Sequence, residues 1–234
     1  MDVSILILTL NEEKNLPGCL ESVAWCDDVV ILDSMSSDRT ADIARQHDVK
    51  FFQQNGGRGQ QLNAGAAVSN SEYLLFLHAD TRLPENYFDT IVKTLDNGAL
   101  AGAFRLSIAE ANRSLRFVAW AANVRSQLLK MPYGDQGLFI RAPDFVRLRG
   151  YPNQPIMDDY EFVRRLNRQG KVRTVNEHVT TSARRWQRVG VWRNTLLNQV
   201  CVAAYHLGVP AARIAGFYRN RKGRGSRGAE EQGG

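Results

Sequence analysis

Val3-Ser4-Ile5-Leu6-Ile7-Leu8-Thr9-Leu10 is a near-continuous apolar run that stops at Asn11-Glu12-Glu13. A run without polar alternation is how a strand buried on both faces reads, and such strands belong to parallel sheets covered by helices. Outward from it the pattern repeats. Residues 28–32, 49–52 and 73–77 predict further strands, and the stretch through Cys19 and Val23, residues 40–47 and residues 60–68 predict the helices between them. Strand and helix alternating at short spacing predict an α/β fold, with a Rossmann-like, mostly parallel sheet flanked by helices. The second half is less regular. Strands are predicted near 101–106 and 138–140, and helices near 112–130, 158–168 and 188–207, the last stopped by Gly208 and Pro210.

The chain has 234 residues, 44% hydrophobic and 23% charged, enough for one large α/β domain with an appendage. No apolar run approaches the roughly 18 residues of a membrane span. The N-terminus carries Asp2 and no basic region, so it does not read as a signal peptide. Cys19, Cys26 and Cys201 have no metal-ligand spacing and read as free thiols. The expected location is the cytoplasm.

Ligands of open α/β sheets bind beyond the carboxyl ends of the strands. Asn11, Asp33 and Asp80 each follow a predicted strand there. Thr9-Leu10-Asn11-Glu12 offers short polar groups to a nucleoside, although Asn11 equally suits a helix N-cap. Asp33 can accept hydrogen bonds from a base or ribose, or serve as a turn aspartate. Gly56-Gly57-Arg58-Gly59-Gln60-Gln61-Leu62-Asn63 joins flexible backbone, a cation and a helix start, a combination that approaches phosphate or base. It follows the third strand, so it is neither a dinucleotide fingerprint nor a P-loop.

His78-Ala79-Asp80-Thr81-Arg82 is the sharpest feature. A carboxylate at the end of a central strand can hold Mg2+ or Mn2+ against a diphosphate. Asp158-Asp159-Tyr160-Glu161 places acids at a helix start, where one can act as a general base or all can complement the helix dipole. Arg184-Arg185-Trp186 pairs diphosphate-binding cations with a ring that can stack on a sugar, or forms a basic segment with a core tryptophan.

In order along the chain, these segments resemble family 2 of the inverting, GT-A-fold glycosyltransferases, strongly over residues 1–170 and loosely to 215. The compact bacterial subgroup labelled arsenosugar-biosynthesis glycosyltransferases looks closest, on residues 75–84, Tyr133-Gly134-Asp135-Gln136-Gly137 and Ser182-Ala183-Arg184-Arg185-Trp186. The resemblance implies that Thr9, Asn11 and Glu12 line a nucleoside site, that Asp33 contacts the base, and that Arg58, Gly59 and Asn63 border it. It makes Asp80 the metal-binding acid of a D-x-D motif and Asp159 the catalytic base. Arg185-Trp186 resembles the end of a Q-x-x-R-W motif. His78 stands where the first D-x-D acid usually sits and is expected to hydrogen-bond the nucleotide or its loop. Ser182 replaces the Gln of Q-x-x-R-W, which argues against a processive polymer synthase. The implied activity is metal-assisted, inverting hexosyl transfer from a UDP- or GDP-linked donor to a small-molecule or lipid-linked acceptor. A sugar nucleotidyltransferase and a non-catalytic nucleotide-sugar-binding protein are the rival readings.

Boundaries are expected at 1–180 for the transferase domain, 181–212 for a C-terminal helical appendage and 213–234 for a basic, Gly-rich, disordered tail. Of the net charge of +6, that tail supplies +4 through Arg213, Arg219, Arg221, Lys222, Arg224 and Arg227 against Glu230 and Glu231. Such a tail suits peripheral contact with the inner face of a membrane. Nucleic acid is not the expected partner. The apolar positions of 188–207 equally suit packing on the domain or on a second copy in a homodimer.

Overall fold

A computed structural model describes residues 2–184, 186 and 190–230, with 222–230 given by backbone alone. The first half alternates as its apolar runs demand: β1 (Val3–Thr9), α1 (Leu16–Ser22), β2 (Asp28–Asp33), α2 (Thr40–Arg45), β3 (Lys50–Gln53), α3 (Arg58–Ala67) and β4 (Tyr73–His78). β1 lies between β2 and β4 and runs parallel to both, with Ser4 opposite Asp28 and Leu74; β3 runs parallel to β2. Alternate residues of β1 feed two different cores. Val3, Ile5 and Ile7 meet Leu16, Leu75 and Ile91, whereas Leu6 meets Leu32, Leu62 and Phe76. Both faces of the strand are therefore dry, which is why its sequence shows no polar alternation.

The second half adds β5 (Thr81–Arg82), α4 (Tyr87–Asp96), β6 (Ala101–Ile108), α5 (Arg113–Leu128), a 3-10 turn (Gly134–Gln136), β7 (Leu138–Arg141), α6 (Ala142–Arg147), α7 (Asp158–Gln169), β8 (Val172–Thr181), α8 (Val191–His206) and α9 (Ala211–Glu230). The sheet order is β3-β2-β1-β4-β7-β6-β8-β5. β7 is antiparallel to β4 and β6, β8 is parallel to β6, and β5 is antiparallel to β8. The sheet is thus parallel in its first half and mixed in its second.

Gln136, fully buried, ties the 3-10 turn to the rest. Its Nε2 donates to the Phe104 carbonyl at 3.0 Å and to Ser126 Oγ at 3.1 Å, and its Oε1 accepts from the Tyr133 N–H at 3.3 Å. Residue 213, where a separate tail is expected to start, lies within α9 (Ala211–Glu230). Ile214 and Ala215 are buried where α9 packs on α8. Cys19, Cys26 and Cys201 are free and buried. Among the described residues, no helix is long and apolar enough to cross a membrane.

Candidate active site

The carboxyl ends of β1, β2 and β4, the start of α3 and the start of α7 meet along one edge of the sheet. Three polar clusters line it. The first is built on Asp33, which is fully buried and accepts from Thr9 Oγ1 at 2.7 Å, Ser36 N at 2.8 Å, Ser36 Oγ at 2.5 Å and Gln53 Nε2 at 2.9 Å. Burial opposes its ionisation, but the bonds from Ser36, Thr9 and Gln53 outweigh it and hold the carboxyl below the usual carboxylate range. A carboxylate has about four acceptor sites, so a base reaching Asp33 must displace one of these donors. Asn11 takes a left-handed backbone (φ 54°), which Asn tolerates better than most residues. Its Oδ1 accepts from Ser37 N at 2.9 Å. It is not the N-cap of α1, which begins after Asn15.

The second cluster surrounds Asp80. Glu12 Oε1 accepts from Arg184 Nη2 at 2.5 Å and Glu12 Oε2 from Asn15 Nδ2 at 2.7 Å. Arg184, expected to hold a diphosphate, is therefore engaged by an acid in this state. Arg184, Asp80, Arg82 and Lys14 line one cavity of about 380 Å³. Asp80 Oδ1 accepts from Thr81 Oγ1 at 3.4 Å. No group of three or more metal-ligating side chains occurs among the described residues. Two carboxylates, Asp80 and Glu110, line this cavity with the three cations, a donor set that fits Mg2+ or Mn2+ arriving with a diphosphate, because such ions keep waters and use one or two carboxylates plus phosphate oxygens. It does not fit a dedicated protein cage.

The third cluster centres on Asp159, in the first turn of α7. Arg58 Nη1 donates to Asp159 Oδ2, Arg58 Nη2 lies 2.9 Å from His78 Nε2, and the Gly134 N–H donates to the same Asp159 oxygen at 3.2 Å. Burial works against the Arg58 charge, but Asp159 and Asp158 outweigh it and raise its pKa above the usual arginine value. Asp159 Oδ1 and Asp158 Oδ2 are buried and accept no hydrogen bond from the described residues. Burial first, and the charge of Asp159 second, push the Asp158 carboxyl above the usual range. These residues border a cavity of about 220 Å³ together with Tyr133, Tyr160 and Asn198. His78 faces Arg58 and not the Asp80 cavity, so the two positions of the D-x-D-like motif serve different clusters.

Two residues placed at the donor by sequence are turned elsewhere. Asn63 gives both ends of its amide to Tyr151, donating to its carbonyl at 2.9 Å and accepting from its N–H at 2.8 Å. Gly59 is buried against the same segment; a Cβ there would sit 2.8 Å from the Pro152 carbonyl oxygen. Both positions dock α3 on the chain that leads into α7. Trp186 is 8% exposed and belongs to the core, so its ring is not open for stacking on a sugar. Arg185 lies outside the described residues. Sequence reasoning gave no role to Tyr160, Asn198, Tyr205 or His206. Tyr160 hydroxyl pairs with His206 Nε2, and Tyr205 hydroxyl donates to Glu161 Oε2 at 3.2 Å, so α8 is fastened to the helix that carries Asp159. Periodicity carries no signal for such pairs; only the Tyr133–Gly137 segment was marked, by resemblance.

A parallel half-sheet that ends in acidic and cationic clusters, joined to a mixed half-sheet, is the architecture of GT-A glycosyltransferases. Residues 4–147, more than half of the chain, match Glycosyl transferase family 2, and the chain belongs to that family. It is 32% identical over 104 residues to 4,4'-diaponeurosporenoate glycosyltransferase of Staphylococcus haemolyticus, covering 39% of this chain and 28% of that protein. It is 31% identical over 94 residues to poly-beta-1,6-N-acetyl-D-glucosamine synthase of Staphylococcus epidermidis, covering 36% and 23%. The matches thus span about a quarter of those curated relatives. The fold matches S. aureus TarS 1–349 in complex with UDP-GlcNAc, with TM-score 0.61, 16% identity and coverage of 78% and 58%. It also matches glucosyl-3-phosphoglycerate synthase from Mycobacterium tuberculosis in complex with Mn2+, UDP-glucose and phosphoglyceric acid, with TM-score 0.63, 16% identity and coverage of 89% and 80%.

Proposed function

We propose that the chain transfers a sugar from a UDP- or GDP-linked donor to an acceptor hydroxyl, with inversion, by a single in-line displacement. The observation that carries this reading is the arrangement of Asp159. Arg58 and the Gly134 N–H hold Oδ2, while Oδ1 is left without a hydrogen bond. One oxygen is positioned and the other keeps a lone pair for a proton, which is what a general base requires. Asp159 takes the acceptor proton, and the acceptor oxygen attacks the anomeric carbon as the nucleoside diphosphate leaves. Arg58 orients the carboxylate for that step, and Arg82, Lys14 and Arg184 offer cations to the diphosphate. Asp80 would hold a divalent cation, which would neutralise charge on that leaving group. The structural neighbours bound to UDP-sugars support the donor class, and the one that also holds Mn2+ supports the metal.

Calorimetry of UDP and GDP with and without Mn2+ tests the donor and metal roles. One of the two binds the wild type more tightly with Mn2+, and Asp80→Ala abolishes that enhancement. An undiminished enhancement in Asp80→Ala removes Asp80 as the ligand.

The acceptor is reached near a membrane surface through α8 and α9. Trp192, Leu196 and Val200 form an exposed stripe at helical spacing on α8, and the exposed Arg219 and Arg221 follow on α9. Neither the arsenosugar label nor a homodimer gains support from these features.

A further inference from the structure

A second cavity, of about 400 Å³, opens between α5 and α8 beside the Asp159 cavity. Its size falls in the range of small-molecule sites, ~300–1,000 Å³. The two cavities share Tyr133, Asp135, Tyr160, Asn198 and Val202, whose side chains alone stand between them. Four of the five shared residues are polar. Away from that junction Phe117, Val118, Ala122 and Leu129 from α5 and its end, with Trp192 from α8, form an apolar side, and Arg125, Thr195, Gln199 and His206 also line the cavity. Phe117 and Trp192 approach each other across the two helices, with ring centroids 6.0 Å apart, and both are more than half exposed. The cavity beside Asp159 is thus lined mostly by polar groups, and its neighbour carries an aromatic and aliphatic side that reaches the surface.

We propose that this groove binds the acceptor and that the acceptor is an amphiphilic alcohol. Its hydroxyl lies at Asp159, and its apolar body runs between α5 and α8 toward Phe117 and Trp192. The inference rests on Asp159 being the base. A polar acceptor would leave the aromatic end wet and unused, whereas an apolar chain removes that surface from water at about 25 cal/mol per Å². The fastening of α8 to α7 through Tyr160–His206 and Tyr205–Glu161 keeps the groove in register with the base.

The test uses 1-hexanol, 1-octanol and 1-decanol as probes, with tryptophan fluorescence as readout, because the exposed Trp192 lines the groove. Affinity rises about fourfold per methylene in the wild type, as burial of each CH2 group demands. Thr195→Trp, which fills the groove from α8, weakens decanol at least tenfold. Phe117→Ser, at an exposed position, weakens it less and keeps the fold. Thermal stabilisation by UDP or GDP with Mn2+ persists in both variants and reports the donor site separately. Absence of chain-length dependence in the wild type overturns the proposal, as does wild-type decanol affinity in Thr195→Trp. Loss of nucleotide stabilisation in the wild type, with the alcohol series intact, sinks the donor reading and leaves the groove as an amphiphile site.

Discussion

Gly134 sits where no side chain fits: an added Cβ would lie 2.1 Å from Arg58 Nη2 and 2.5 Å from Asp159 Oδ2. Gly134→Ala therefore pushes the Arg58–Asp159 pair apart. Misplacing a reacting group by about 1 Å costs on the order of 10²-fold, so transfer drops by about that factor in steady-state assays while the unfolding midpoint moves little. Wild-type turnover in Gly134→Ala would show that the pair need not be held in this geometry. Asp158 gives a pH-dependent test. Burial and Asp159 raise its folded pKa above an unfolded value of about 3.9. The fold disfavours its charge, so stability present below the unfolded pKa is lost as pH rises toward the folded one and stays lost at neutral pH. Asp158→Asn raises the unfolding midpoint at pH 7, by about 2–4 °C for each kcal/mol relieved, and the gain vanishes below about pH 3.5, where both states are protonated. A gain independent of pH contradicts this. Single residues were only partly legible in the sequence. Asp33 and Asp80 announce themselves by following apolar strands, but the Arg58–Asp159 contact joins positions 101 apart. Neither the glycine loop nor the acid pair predicts the other.

Legibility is greater for elements, and it follows burial. β1, β2 and β4 are buried on both faces and read directly from their apolar runs. β8, a ten-residue strand, went unread because Arg173, Asn176 and His178 are exposed along it and break both the apolar run and the alternation. α4 also went unread; Ile91 and Leu95 bury one face of it against the sheet. The C-terminal helices carry the element-scale prediction. If the Trp192–Leu196–Val200 stripe and the cations of α9 meet an anionic surface, the protein co-sediments with phosphatidylglycerol liposomes at low salt. Arg219→Glu with Arg221→Glu removes most of that binding, since each cation contributes about 1 kcal/mol there, and salt near 0.5 M removes it in the wild type. Binding that ignores both changes assigns the stripe to a purely apolar contact, and no sedimentation in any condition ends the membrane proposal.

For the whole molecule, the sheet does two jobs. Its parallel half collects Thr9, Asn11, Asp33 and Asp80 at strand ends, and its mixed half sets the Tyr133–Gly137 turn and α7, bringing Asp159 to Arg58. The proposed donor lies along the first edge and the proposed acceptor on the α5–α8 side, with Arg58 and His78 between them. Sequence pattern showed the first half of that plan; the second depends on side-chain contacts between distant segments, which periodicity does not encode. The central claim is that Asp159 takes the acceptor proton in sugar transfer from a nucleotide donor. The direct measurement is nucleoside diphosphate release from a panel of UDP- and GDP-sugars with Mn2+ and 1-decanol as acceptor, in wild type and Asp159→Asn, with donor affinity measured on the same samples. The account predicts decanol-dependent release by the wild type, slowed ~10²–10⁴-fold in Asp159→Asn at unchanged donor affinity. Equal release by the two proteins would contradict it.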